Sequence, residues 1–126
     1  AKKVGVVADG EALIGFQQVV RNVTISARTQ QYIVNLTAAS RPGTKDAIEA
    51  VNKYVAWGAG VRATQYLALG AKARAALQGR NSATADDVKA VTLPVMRHRI
   101  GVNFRAENDG ITPSRIVGML LENVAS

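Results

Sequence analysis

Apolar residues recur every three to four positions through the first part of the chain, which is the spacing of amphipathic helices. The stretch DGEALIGFQQVVRNV predicts a helix over about 11–22, started by Asp9 or Gly10. The stretch TISARTQQYIVNLTAASRPG predicts a second helix, with Ser26 as N-cap and a stop at Pro42-Gly43. The apolar positions expected to face the core are Leu13, Phe16, Val19, Val20, Val23, Ile33, Val34 and Leu36.

The middle of the chain predicts a short helix, an extended piece and then a long helix. In TKDAIEAVNKYVAW, helical spacing gives way to an extended pattern just before two glycines, with Trp57 expected as a core residue or loop anchor. From Val61 to Gln78 the chain is rich in alanine and leucine, and Gly79 follows as a stop. This is the strongest helix signal in the sequence.

Cap signals define the elements of the last third. Thr84 and Asp87 form an acidic variant of the capping box and open a helix that Pro94 is expected to bend or restart. The segment IGVNFRAENDG alternates apolar and polar positions and predicts a strand and loop. Thr112 as N-cap and Pro113 at the first helical position predict a final helix.

These elements predict a mainly α fold, a bundle of five or six helices with at most a short two-stranded β element. The chain has 126 residues and 48% hydrophobic content, which suits one domain over 1–126 with a real core.

Little of the chemistry of an enzyme is present. Cysteine is absent, and the single histidine, His98, lies between Arg97 and Arg99 with no serine or aspartate partner suggested by the pattern. The acids Asp86 and Asp87 are expected to complement a helix dipole rather than to bind metal. No GxxxxGK[ST] motif occurs. We therefore expect no catalytic residue, no metal ligand and no cofactor in this chain alone.

The charge balance allows an alternative function. Sixteen Lys and Arg against nine Asp and Glu give +7, which makes a basic helical nucleic-acid-binding module the competing interpretation. The cations are spread over the chain rather than gathered on one stripe, which disfavours phosphate tracking. Apolar runs of a few residues are too short to span a bilayer, so we expect no membrane partner and a cytoplasmic location.

The stretch WGAGVRATQYL places a cation where a helix start is already electropositive. Arg62 falls in the first turn of the predicted long helix, at a cost of about 0.3–1 kcal/mol. Gly58 and Gly60 allow close backbone approach and unusual φ, and a helix start favours an anion. Two interpretations stay open: Arg62 meets a phosphate, or it lies in water or pairs with a carboxylate such as Glu49.

Several motifs together resemble a known family. The segment YVAWGAGVRATQYLALGAKARAALQGRNSATADDVKAVTLPVMRHRI, continued by FRAENDGITPSRIVGMLL, is similar to the C-terminal lid domain of MoxR-type AAA+ ATPases. The family pattern has G-A-S-P-R-A, a long Ala-rich helix ending in L-x-G-R, then T-x-x-D-V, H-R-I and E-G-I-T. The resemblance runs from about residue 10 to near the end of the chain.

The resemblance implies a role for Arg62. By position it is the family's second sensor arginine, which reaches the phosphates of ATP held by a separate P-loop core, with Gly58 and Gly60 as the supporting turn. It also implies ATP and Mg for the full-length protein, a core domain in cis, a homo-oligomeric ring and chaperone-like work on client proteins. The core is missing from this sequence, so the chain is expected to be a lid excised from an ATPase.

One departure from the family pattern falls next to the sensor position. Gly60-Val61 stand where the family has Ser-Pro, so the hydroxyl cap and the fixed proline φ are both lost. We expect a looser turn before Arg62.

Overall fold

The computed structural model describes residues 10–126, with side chains described from residue 13 onward. This part of the chain forms seven α-helices and two short pairs of β-strands. The elements in chain order are α1 Gly10–Asn22, β1 Thr24–Ile25, α2 Ala27–Ala39, α3 Glu49–Tyr54, β2 Val55–Trp57, α4 Val61–Leu77, β3 Ser82–Ala83, α5 Ala85–Met96, β4 Gly101–Val102, α6 Phe104–Asp109 and α7 Pro113–Asn123. The mainly α class predicted from the sequence is confirmed.

Both strand pairs join segments that are distant in sequence. β1 pairs with β3 in parallel, with Thr24 opposite Ser82. β2 pairs with β4 in antiparallel, with Trp57 opposite Gly101 and an irregular register beside it. The sequence predicted at most one such pair, because strands of two or three residues are too short to show a period.

Helix α4 lies at the centre of the bundle, and its buried face consists mostly of alanine. Ala63, Leu67, Ala71 and Ala75 are fully buried at a four-residue spacing. Small side chains let α5 approach closely: a Cβ added at Gly70 would lie 3.3 Å from the Cβ of a valine of α5. The remaining faces of the core are supplied by α2, α5 and α7, through Tyr32, Ile33, Leu36, Val88, Met96, Ile116, Val117 and Leu120.

Most boundaries predicted from the sequence are confirmed. Ser26 caps α2 by accepting a hydrogen bond from the backbone N–H of Thr29 at 3.1 Å. Thr112 caps α7, and the Thr84–Asp87 capping box opens α5. Asp9, the other candidate start for α1, lies outside the described residues.

Some expectations were wrong. Val34 is 45% exposed rather than in the core, and of the two roles expected for Trp57 the core position is wrong, because the side chain is 64% exposed. Helix α5 continues through Pro94 to Met96, without a restart. The strand predicted in IGVNFRAENDG is present as β4, but the loop expected after it is helix α6, because Asn103 caps that helix and its C-cap glycine adopts a left-handed conformation.

The apolar stripe predicted for α1 only partly faces the core. Val20 is buried, whereas Leu13 is about half exposed. The exposed part lines an open, mainly apolar groove of about 420 Å³ against Leu69 of α4. Within the described residues, no helix is long and apolar enough to cross a membrane.

A buried carboxylate fastens the end of α4 to the start of α5. Asp87 is fully buried, and its Oδ1 accepts from Arg74 Nη1 and Arg80 Nη2, both at 2.6 Å. Its Oδ2 accepts from Arg80 Nη1 at 2.7 Å and from the backbone N–H of Thr84 at 2.8 Å. Hydrogen bonds from Arg80 are the main reason that the pKa of Asp87 lies well below its usual value. The sequence had assigned this residue only to the helix dipole and the cap.

Candidate functional site

The candidate site is the loop Gly58–Gly60 with the first turn of α4. Gly60 is the N-cap of the helix, with φ −89° and ψ −172°, and it offers no side chain to cap the first turn. The N–H of Ala63 donates to the carbonyl of Gly60 at 3.1 Å. The N–H groups of Val61 and Arg62 have no acceptor among the described residues. This helix start therefore presents two free donors and no acidic side chain.

The side chain of Arg62 is exposed and forms no hydrogen bond or ion pair with any described residue. The pairing with Glu49 that the sequence left open is therefore not seen. The guanidinium carries five donors and a permanent charge, and Arg62 belongs to the same first turn as the free N–H groups. The arrangement suits an electronegative ligand brought from outside this chain.

A cation in a first turn is common in this chain and does not by itself mark a site. The described helices with an arginine in the first turn are α2 with Arg28, α4 with Arg62, α6 with Arg105 and α7 with Arg115.

Side-chain caps separate α4 from those other three helices. Ser26, Asn103 and Thr112 each accept a hydrogen bond from a first-turn N–H of their helix. Gly60 provides no equivalent for α4. Arg62 is thus a cation at a helix start that has no side-chain cap. The other three described helices with an arginine in the first turn do not show this combination.

The two glycines of the loop serve different purposes. A Cβ added at Gly58 would lie 2.2 Å from the carbonyl oxygen of Ser40, so the close approach predicted from the sequence is to the chain's own backbone. A Cβ at Gly60 would meet nothing within 4 Å. The expected unusual φ was wrong, because the glycines with positive φ in the described part of the chain are Gly43, Gly79 and Gly110.

The loop is bonded to the end of α2 through Ala59. The N–H of Ala59 donates to Ser40 Oγ at 3.0 Å, and Arg41 Nε donates to the carbonyl of Ala59 at 3.0 Å. We call these two contacts the 40–41 clamp. Sequence reasoning missed both residues, because their partner lies 18 or 19 residues further along the chain and no local period connects them.

Exposed apolar side chains flank the same loop. Trp57 precedes the loop, and its ring lies on the backbone of Gly101, where an added Cβ would be 2.2 Å from the ring. Val61 follows the loop and is exposed. The loop carrying Arg62 is therefore bordered in sequence by apolar surface that another domain could cover.

The described residues offer no metal centre. No group of three or more His, Cys, Asp or Glu among them is placed to hold a metal ion. His98 is exposed, and its Nε2 accepts from Arg97 Nε at 3.2 Å. Within the described residues, the candidate site therefore consists of the Arg62 cation and the free N–H groups of α4, which together form one side of an anion site.

Residues 47–118 match the family model described as the AAA lid domain, which is more than half of the chain. The chain therefore belongs to the AAA lid domain family.

Similarity to two known proteins indicates which type of AAA lid domain this is. Over 113 residues, 90% of this chain, the sequence is 28% identical to Chaperone MoxR1 of Mycobacterium tuberculosis. The crystal structure of a candidate ATPase from Cytophaga hutchinsonii superposes with a TM-score of 0.80 at 33% identity over 86% of this chain. The chain spans 30% and 33% of the lengths of these proteins. These similarities make it a lid of the MoxR type within the AAA+ ATPases.

We expect the two glycines to differ sharply when each is replaced by alanine. Gly58→Ala pushes a methyl group into the Ser40 carbonyl and should lower the free energy of unfolding by about 1–3 kcal/mol. Gly60→Ala enters open space in an extended conformation and should change it by less than about 0.5 kcal/mol. Urea denaturation of the 126-residue chain measures both. Equal effects would contradict the packing role of Gly58.

Proposed function

We propose that this chain is the nucleotide-sensing lid of an AAA+ ATPase and that Arg62 is its sensor arginine. The observation that carries the proposal is the uncapped start of α4, with two free N–H groups and an unpaired guanidinium. The sequence resemblance supports the assignment of the sensor position to Arg62. A phosphate would satisfy both features, with about 1.5–3 kcal/mol per charge-assisted hydrogen bond.

The residues fit one side of a polyphosphate site, and the rest must come from a P-loop core in cis. Backbone N–H groups at a helix start favour anions, and an arginine fork matches phosphate oxygens. Since no acidic cluster for a metal lies within the described residues, we assign the binding of Mg to the core. The chain alone is accordingly proposed to be non-enzymatic, and the parent protein to hydrolyse ATP.

The proposed mechanism is a change of lid orientation with nucleotide state. If Arg62 contacts the terminal phosphate only in the ATP state, that difference in contact biases the orientation by about 1–3 kcal/mol, or roughly 5–150-fold. The 40–41 clamp ties the Arg62 loop to α2, so a force on this loop would act on two helices of the bundle together.

The wider setting is part of the same proposal. We place the full-length protein in a homo-oligomeric ring in the cytoplasm, where lid movement passes to neighbouring subunits and to a client protein. The similarity to a protein described as a chaperone supports chaperone-like assembly or activation of clients.

A structure of the complete ATPase with a non-hydrolysable ATP analogue tests the proposal. We expect the Arg62 guanidinium within about 3 Å of a terminal phosphate oxygen, the length of a charge-assisted hydrogen bond. The ADP complex, determined in the same way, is the control and should lack this contact. An Arg62 side chain directed into solvent in the ATP state would overturn the assignment.

A further inference from the structure

Two adjacent residues at the end of α2 bind both backbone polar groups of one residue, Ala59, in the loop Gly58–Gly60. Ser40 Oγ accepts from the N–H of Ala59, and Arg41 Nε donates to its carbonyl oxygen. Ala59 and Ser40 are almost fully buried, so water is a poor substitute for these partners. The backbone between Gly58 and α4 therefore has few accessible conformations.

The clamp is itself fixed at its base. Ser40 Oγ also donates to the carbonyl of Thr37 at 2.6 Å, which sets the rotamer that receives the Ala59 N–H. The backbone of Arg41 donates to the carbonyl of Ala38 at 3.2 Å, and its own carbonyl accepts from Thr44 Oγ1 at 3.0 Å. Arg41 is therefore held on both sides before its side chain reaches the loop.

The absence of a cap on α4 gives this clamp its importance. Gly60 has no side chain that could restrict φ or cap the first turn, and only its carbonyl accepts a hydrogen bond from that turn. Ala59 is the residue directly before it and the last one in the loop whose backbone is bonded to another element. Ala59 is thus the backbone anchor that directly precedes the helix start, and the buried Ala63 anchors the first turn from within the helix.

We propose that Arg41 is a positioning residue for Arg62: its hydrogen bond to the Ala59 carbonyl fixes the residue that precedes the uncapped N-terminus of α4 and so orders the first turn. The inference rests on the proposed sensor function of Arg62. It assigns no contact between Arg41 and nucleotide.

The test uses the full-length ATPase and two measurements. Hydrogen exchange of the peptide covering residues 58–64 reports the order of the loop, and steady-state kinetics reports kcat and KM for ATP. Arg41→Ala should speed the exchange and lower kcat/KM by about tenfold, because a displacement near 1 Å at a reacting group has effects of this order or more. Arg41→Lys keeps a donor within reach of Ala59 and should recover part of both losses.

Arg99→Ala is the matched control. Arg99 is also half-buried and also donates to a backbone carbonyl, that of Val95 at 2.9 Å; it contacts α4 through the ring of Tyr66, 4.5 Å from its guanidinium, but makes no bond to the loop. This variant should leave exchange at 58–64 unchanged.

A double variant separates positioning from a general loss of stability. If Arg41 acts through Arg62, then Arg41→Ala has no further effect on kcat/KM in an Arg62→Ala background. An equal loss in both backgrounds overturns the proposal, and so does unchanged exchange in Arg41→Ala. If Arg62→Ala alone has no effect on turnover, the sensor function fails, and faster exchange in Arg41→Ala then shows a structural clamp without a sensor to position.

Discussion

Arg62→Ala in the full-length ATPase is expected to lower kcat for ATP hydrolysis by about 5–150-fold, the range of a coupling free energy of about 1–3 kcal/mol. The physical reason is the loss of a guanidinium that contacts phosphate in only one nucleotide state. The fold should be unaffected, since the side chain is exposed and makes no bond to a described residue. Removing a cation from an uncapped helix start should raise stability slightly.

Arg28→Ala provides the matched control for this experiment. Arg28 is the second residue of α2 as Arg62 is the second residue of α4, and both side chains are exposed. Both variants should melt within a few degrees of the unmodified protein, and only Arg62→Ala should lose turnover. Equal turnover in the two variants would remove the case for a sensor at this position.

Asp87→Asn is expected to be the most destabilising of the substitutions considered, at about 2–4 kcal/mol. It leaves two arginines facing a neutral amide and weakens the capping box of α5. The value lies below that of a fully buried ion pair because each arginine side chain is more than one third exposed. Chemical denaturation at pH 7 measures the loss.

The pH dependence of the free energy of unfolding tests whether the ionised carboxylate of Asp87 causes this loss of stability. The folded-state pKa of Asp87 is depressed, so in acid the unfolded chain takes up this proton first and stability falls as pH drops below about 4. Asp87→Asn lacks this contribution, so its stability should approach that of the unmodified chain at low pH. Asp86→Asn, at the exposed neighbouring position, should stay within about 0.5 kcal/mol at every pH. If the difference in free energy of unfolding between Asp87→Asn and the unmodified chain is the same at pH 2 as at pH 7, the ionic origin of the destabilisation is contradicted.

Helices with local signals were the predictable part of the fold. Ser26 and Thr112 each bond within their own first turn, so their neighbours in sequence determine the cap. Helix α6 shows the limit: Ile100, Val102 and Phe104 alternate like a strand, yet Phe104 begins a helix and is exposed. The alternation corresponds to strand β4 at Gly101–Val102 and ends before Phe104.

The candidate site was predictable only in part. The motif around Arg62 and Gly58 could be found in the sequence. The steric requirement for glycine at position 58 could not, because Gly58 packs against a carbonyl 18 residues earlier in the chain. A cation in a first turn does not by itself distinguish a site, because Arg28 occupies the same position in a capped helix. Structure was needed to show that the missing cap distinguishes α4.

The alanine stripe of α4 has a mechanical consequence. Short side chains at Ala63, Ala71 and Ala75 have no rotamers to exchange, so the contact with α5 has few alternative packings. The helix has 17 residues and is about 25 Å long. A tilt of about 5° at the end that carries Arg62 would therefore displace the far end, where Asp87 joins the next helix, by about 2 Å. A tilt of that size would therefore move the far end of α4 without a change of rotamer in any of these side chains.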